Sequence, residues 1–240
     1  LGGFGLVDEL SSKPGAAKEQ IRVTYYTDPY DVWGLAVEPV LDKLMEEFPG
    51  RLRVVYRAFP IVRDVDEVLP ADKTERIRFF QGLASLFREV SKRTGIKMDP
   101  SFLYDDPPKS TWPACTAFKA AMRQGTRRGD RFLRRLRRAG LQENRNITKG
   151  EVLKELAQDS GLDIDRFMRD FYSKETEREV EEDFEKGIRE GVEGIPALVF
   201  GNDRGLQVTV LGVRSVEEYR KVVGWLSKKD EEAAYHSFYA

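Results

Sequence analysis

The sequence predicts an α/β fold laid out as βαβ, a large all-helical insertion, and ββα. Three observations carry this. Residues 21–59 alternate strand, helix and strand patterns; from about Ala71 to Gly191 the periodicity is helical with no convincing strand; and strand character returns late, around a tight turn, before a last helix.

Ile21-Arg22-Val23-Thr24-Tyr25-Tyr26-Thr27 alternates and is rich in β-branched and aromatic residues, the signature of a strand. Thr27-Asp28-Pro29 is a turn signal. From Val37 the apolar residues Val40, Leu41, Leu44, Met45 and Phe48 recur at helical spacing, and Pro39 inside that pattern predicts a kink near the first turns. Pro49-Gly50 ends the helix, and residues 52–59 read as a second strand. Strand, helix and strand with short links argue for a right-handed parallel unit.

In the helical stretch, Phe79, Phe80, Leu83, Leu86 and Phe87 form one apolar stripe. Phe132, Leu133, Leu136 and Ala139 form a second, and Val152, Leu153, Leu156 and Ala157 a third. Thr148 and Glu151 have capping-box spacing, which predicts a helix start after "NRNI". Asn202-Asp203-Arg204-Gly205, between "ALVFG" and "LQVTVLG", is a hairpin signal. Ser215 and Glu218 fit a second capping box, with Val216, Tyr219, Val223 and Leu226 as the buried face of the last helix. The expected organisation is a discontinuous sheet domain at 21–59 and 194–227, a helical insertion domain at 60–193, and tails at 1–20 and 228–240.

Composition excludes several function classes. Lys+Arg at 40 against Asp+Glu at 41 gives a formal net charge of −1, so a global electrostatic case for nucleic acid or an anionic membrane fails. No apolar run approaches the roughly 20 residues that cross a bilayer. The first twenty residues lack the order of a signal peptide, which predicts a cytoplasmic protein, although a start at Leu1 leaves open a removed segment. A single cysteine, Cys115, excludes a disulfide within the chain. A single histidine, His236 in the tail, argues against a Ser-His-Asp triad and against zinc sites. No metal and no cofactor are expected.

The order of elements resembles the thioredoxin fold with a helical domain inserted between its halves, as in the DsbA family. Thr27-Asp28-Pro29, Trp33 and Glu38-Pro39 are similar to that family's "TDP-x-C-x-W-C-…-EP" opening. Gly194-Ile195-Pro196 resembles the loop holding its cis-proline. Residues 105–125, "DDPPKSTWPACTAFKAAMRQG", and residues 143–163 resemble the FrnE-like, dithiol-disulfide isomerase-like branch. The resemblance covers roughly residues 21 to 226. Where the family has its two cysteines, this chain has Asp31 and Gly34, and thiol–disulfide exchange needs an attacking thiolate and a resolving thiol.

At a helix start, Asp31 is expected to cap the helix and to lower its own pKa, standing in structurally for the thiolate charge; a catalytic Asp31 is the alternative. The resemblance implies a former substrate groove walled by Asp31, Val32, Trp33 and Gly34 with Ile195 and Pro196. Pro196, if cis, either offers an edge for strand addition by an extended peptide or only shapes the fold. Placing cysteines at 31 and 34 is expected to restore a reducible pair. Cys115, among Ala114, Ala117 and Phe118, is expected to be a buried small hydrophobe, with a reactive thiol as the alternative. The dense Arg segment from Arg123 to Arg138 is either an anion-binding surface or a solvated face partly neutralised by the acidic run from Glu175 to Glu185. The favoured function is a redox-inactive adaptor holding a protein or extended peptide segment, as the resemblance to protease adaptors in this neighbourhood implies. The competing function is an oxidoreductase working through Cys115, or a non-redox reaction at Asp31.

Overall fold

The computed structural model describes residues 20–228, and its sheet is built around β1 (Ile21–Thr27). α1 (Gly34–Glu47) leads to β2 (Leu52–Ala58), which pairs with β1 in parallel, Ile21 opposite Leu52 and Thr27 opposite Ala58. The helical part follows as α2 (Val65–Val68), α3 (Lys73–Thr94), α4 (Phe102–Asp105), α5 (Trp112–Met122), α6 (Thr126–Gln142), α7 (Gly150–Asp159), α8 (Ile164–Phe171) and α9 (Lys174–Arg189). β3 (Ala197–Gly201) then returns antiparallel on the other side of β1, with Tyr25 opposite Leu198. β4 (Gln207–Leu211) pairs antiparallel with β3, and α10 (Val216–Leu226) closes the fold. The strand order β2-β1-β3-β4 is the thioredoxin arrangement, with its helical insertion between β2 and β3. The tails expected at 1–20 and 228–240, His236 included, fall almost wholly outside the described residues. Among the described residues no helix is long and apolar enough to cross a membrane.

Period-2 alternation divides the sheet into two faces. Val23, Tyr25, Leu198 and Phe200 point to one, where Val37, Leu41 and Leu44 of α1 and Tyr219, Val223 and Leu226 of α10 complete a core. A larger core joins the helices to the sheet half, with Phe118, Phe132 and Leu136 packed in one cluster with Tyr30, Val32, Leu35 and Ala58. On the second sheet face, Tyr26 and Val199 meet Phe59 and Phe184 beneath α9.

Three local expectations change. α1 starts at Gly34, three residues before the periodic pattern becomes visible, and Pro39 lies within it. α7 has Lys149 at its N-cap and no side-chain cap; the Thr148 hydroxyl donates instead to Asn146 Oδ1 at 2.5 Å, so the Thr148–Glu151 capping box does not form. The stripe on α3 is only partly core: Phe87 is buried, whereas Phe79, Phe80, Leu83 and Leu86 remain half-buried. The Ser215–Glu218 capping box is present in both directions, at 3.3 and 2.9 Å.

Candidate functional site

The β1–α1 junction is tied down by its own sequence. Asp28 is fully buried, and its two oxygens accept from the N–H of Tyr30 at 2.7 Å and of Ile61 at 2.9 Å, fastening the loop after β2 to the junction. Asp31 follows one turn later. Its carbonyl accepts from Gly34 N–H at 3.0 Å and its Oδ1 from Trp33 N–H at 3.0 Å, while Oδ2 is buried with no hydrogen-bond partner. Trp33, not Asp31, occupies the N-cap position of α1, and no side chain caps the helix. Burial raises the Asp31 carboxyl to about 7, against the opposing pull of Arg137. The expected depressed pKa is therefore corrected: desolvation outweighs the helix field and the nearby cation. Near neutral pH this carboxyl can either donate or accept a hydrogen bond.

Behind the junction lies a buried cation. Arg137 of α6 is fully buried; it binds Glu38 at 2.6 Å, the Tyr25 hydroxyl at 3.2 Å and the Thr27 hydroxyl. A Cβ built on Gly34 would stand 2.6 Å from the Arg137 guanidinium carbon. The guanidinium thus fills the space that a side chain at 34 would need. For cysteines at 31 and 34 to form the expected reducible pair, the side chain at 34 would have to displace this guanidinium. Arg137 is also the exception to the solvated Arg face. Its neighbours do reach carboxylates near the surface: Arg123 contacts Glu175 and Glu179 of α9 at 3.1 and 2.8 Å, and Arg134 contacts Asp42 at 2.8 Å.

In front of the junction opens an apolar cleft of about 360 Å³. Tyr30, Asp31, Val32 and Trp33 line one side, and Phe79, Phe80, Leu83 and Leu86 of α3 line another; Ile195, Pro107 and Pro108 also contribute. Ile61 and Val68, also in its lining, are 48% and 46% exposed, an unusual cost for aliphatic side chains that share one concave surface. Of the residues the resemblance assigned to a groove, Asp31, Val32, Trp33 and Ile195 come together here. Gly34 faces Arg137 instead. Pro196 is buried behind a cis Ile195–Pro196 bond, and its carbonyl accepts from Gly212 N–H at 2.7 Å. The α3 wall escaped sequence reasoning because its stripe has the same spacing as a core stripe.

Cys115 is fully buried, and burial, with Asp28 nearby, pushes its thiol well above the ordinary range. Such a thiol supplies no thiolate at neutral pH. Among the described residues, no cluster of His, Cys, Asp and Glu could hold a metal ion.

A strand-to-helix junction facing a cleft, a cis-proline loop and a helical insertion define a class, and the family comparison agrees. A family model described as Thioredoxin matches residues 25–221, and the chain belongs to that family. Within it, the protein named "ClpXP adapter protein SpxH" of Halalkalibacterium halodurans is 30% identical over 198 residues, covering 80% of this chain and 63% of that protein. The Bacillus subtilis protein of the same name is 29% identical over 218 residues, covering 87% and 68%. The chain therefore spans about two thirds of the length of these relatives. Among solved structures, a probable DsbA oxidoreductase from Streptomyces coelicolor superposes with a TM-score of 0.67 at 21% identity, covering 88% of this chain and 92% of that one. The cytosolic disulfide reductase DsbM from Pseudomonas aeruginosa gives 0.60 at 19%, covering 90% and 97%. These two likenesses establish the fold.

Proposed function

We propose that the chain is a non-redox adaptor that holds an apolar segment of a partner protein in the cleft between the β1–α1 junction and α3. The single observation behind this is the cleft itself: a concave apolar surface, partly exposed at Ile61 and Val68, at a junction that carries no thiol. Apolar side chains on a partner would remove that surface from water, at roughly 25 cal/mol per Å² of area buried. The relatives' name, an adapter for ClpXP, supports the particular version in which the held segment is delivered to that protease.

The test selects peptides from a displayed random library against the full chain and measures them on Leu83→Asp and Phe79→Ser. Selected peptides should be rich in apolar and aromatic residues. Losing one well-buried anchor contact of about 1.5–3 kcal/mol should weaken them on the order of 10- to 100-fold. Equal binding to wild type and both variants would remove the cleft from the account. The best peptide, fused to a folded reporter, should then be degraded faster by ClpXP when the chain is added. In an insulin-reduction assay, wild type and Cys115→Ala should both remain at background; turnover that depends on Cys115 would favour the oxidoreductase.

A further inference from the structure

The second face of the sheet is only half covered. At one end α9 lies so close that a Cβ on Gly187 would stand 2.6 Å from the Phe59 ring. Toward the other end the strands line a cavity of about 590 Å³, which shares no lining residue with the apolar cleft. Arg22, Arg53 and Arg57 all line it. The parallel register sets Arg22 directly opposite Arg53, and alternation puts Arg57 on the same face two pleats along. Like charges side by side on neighbouring strands destabilise a sheet. Yet neither the Arg22 nor the Arg53 guanidinium has a hydrogen bond or ion pair among the described residues. Arg57 spends one nitrogen on Asp183 at 2.5 Å, and its Nε is buried without a partner. Three guanidinium groups thus share one concave face, and two of them carry their positive charge there without a carboxylate from the fold.

We propose that this open half of the sheet binds an acidic segment of a partner protein, whose carboxylates are taken by Arg22 and Arg53. Guanidinium forks match carboxylates in geometry as well as charge. The exposed amide of Gln207 in the same lining can donate to and accept from a peptide backbone. A single-stranded nucleic acid fits less well, because among the described residues the cavity lining holds no aromatic side chain on which a base could stack. The inference does not rest on the apolar cleft; if both surfaces act, the chain can hold two segments at once, which is what bridging requires.

The experiment measures fluorescence polarisation of a dye-labelled peptide of alternating Glu and Gly on the full chain, beside its Gln-for-Glu counterpart and a single-stranded oligonucleotide of equal length. The acidic peptide should bind in a salt-sensitive way, and the neutral one at least ten-fold more weakly. Arg22→Gln combined with Arg53→Gln should lower affinity for the acidic peptide at least ten-fold and leave the Tm equal or higher, since the like-charged pair is relieved. Lys92→Gln with Lys97→Gln, which removes the same net charge elsewhere, should leave affinity within two-fold. Equal weakening by both pairs, tighter binding of the oligonucleotide, or a lowered Tm with unchanged binding would each overturn the proposal. Binding of cleft-selected apolar peptides should be unaffected by the Arg22 and Arg53 changes, which keeps failure here distinct from failure of the cleft.

Discussion

Asp31 carries its charge at a cost, and that cost depends on pH. Its carboxyl sits at about 7 in the fold against 3.8 in an unperturbed side chain. Below about pH 4 both folded and unfolded chains hold the proton, and the group is without effect. Between about 4 and about 7 the unfolded chain releases its proton first, so stability falls as pH rises; above about 7 the loss is complete. Asp28, raised to about 6 by burial, adds a similar fall over the lower part of the same window. Asp31→Asn removes only the Asp31 share while keeping the oxygen that accepts from Trp33. Denaturant melts at pH 4, 6 and 8 should show the gap between variant and wild type widening in the variant's favour, on the order of 1.4 kcal/mol per displaced unit and a few kcal/mol at most. A gap that does not change with pH would mean the carboxyl is not desolvated. The sequence placed Asp31 at the right junction but not in its environment: a local pattern shows a helix start, whereas α3 and the α5–α6 core that bury it are distant in the chain. Cys115 was legible for the opposite reason, since small and apolar neighbours on both sides already imply a packed helix face.

At the scale of the element, α1 and α6 are fitted to each other through a missing side chain. Arg137 looks like one of many surface arginines, but helix phase distinguishes it: it lies four residues after Leu133 and three before Gly140, both buried. Asp183 is marked in the same way within the acidic run, at the spacing of Thr176, Val180 and Gly187 on the inner face of α9. Phase sets both buried charges apart, yet the sequence reading leaves Arg137 in the solvated basic run and Asp183 in the acidic one, and the structure corrects it for both. The α3 stripe shows the limit, because periodicity reports an apolar face without saying whether a core or open solvent meets it. Gly34→Ala tests the fit. On an open helix end an alanine would be neutral or mildly stabilising, but here its Cβ overlaps a guanidinium held by Glu38, Tyr25 and Thr27. Overpacking of this kind typically costs about 1–3 kcal/mol, and urea unfolding should register a loss of that order. An unchanged or raised midpoint would show that Arg137 moves aside freely, and would reopen the route to a paired thiol at that position.

Across the whole molecule, the route of the chain and the layout of its cores differ. Element order was readable from periodicity, and it suggests two domains, with the chain leaving the sheet after residue 59 and returning at 194. One core belongs wholly to the sheet half, beneath α1 and α10. The larger core does not respect the division, because Tyr30, Val32, Leu35 and Ala58 pack among the residues of the insertion. Polar links cross it as well. Asp183 of α9 accepts from the Ala58 N–H at 3.1 Å and pairs with Arg57 and with Lys119, both at 2.5 Å, so one buried carboxylate joins β2, α5 and α9. An insertion with a core of its own would melt separately; one that borrows the floor of its core from the sheet cannot unfold without exposing that floor and leaving Asp183 uncompensated. We therefore expect a single cooperative transition in calorimetry, with calorimetric and van't Hoff enthalpies in agreement. Variants that retain only Trp112, in the insertion, or only Trp225, in α10, should give coincident urea transitions by fluorescence. Two resolved transitions, with Trp112 reporting one and Trp225 the other, would show that residues 60–193 stand as an independent domain.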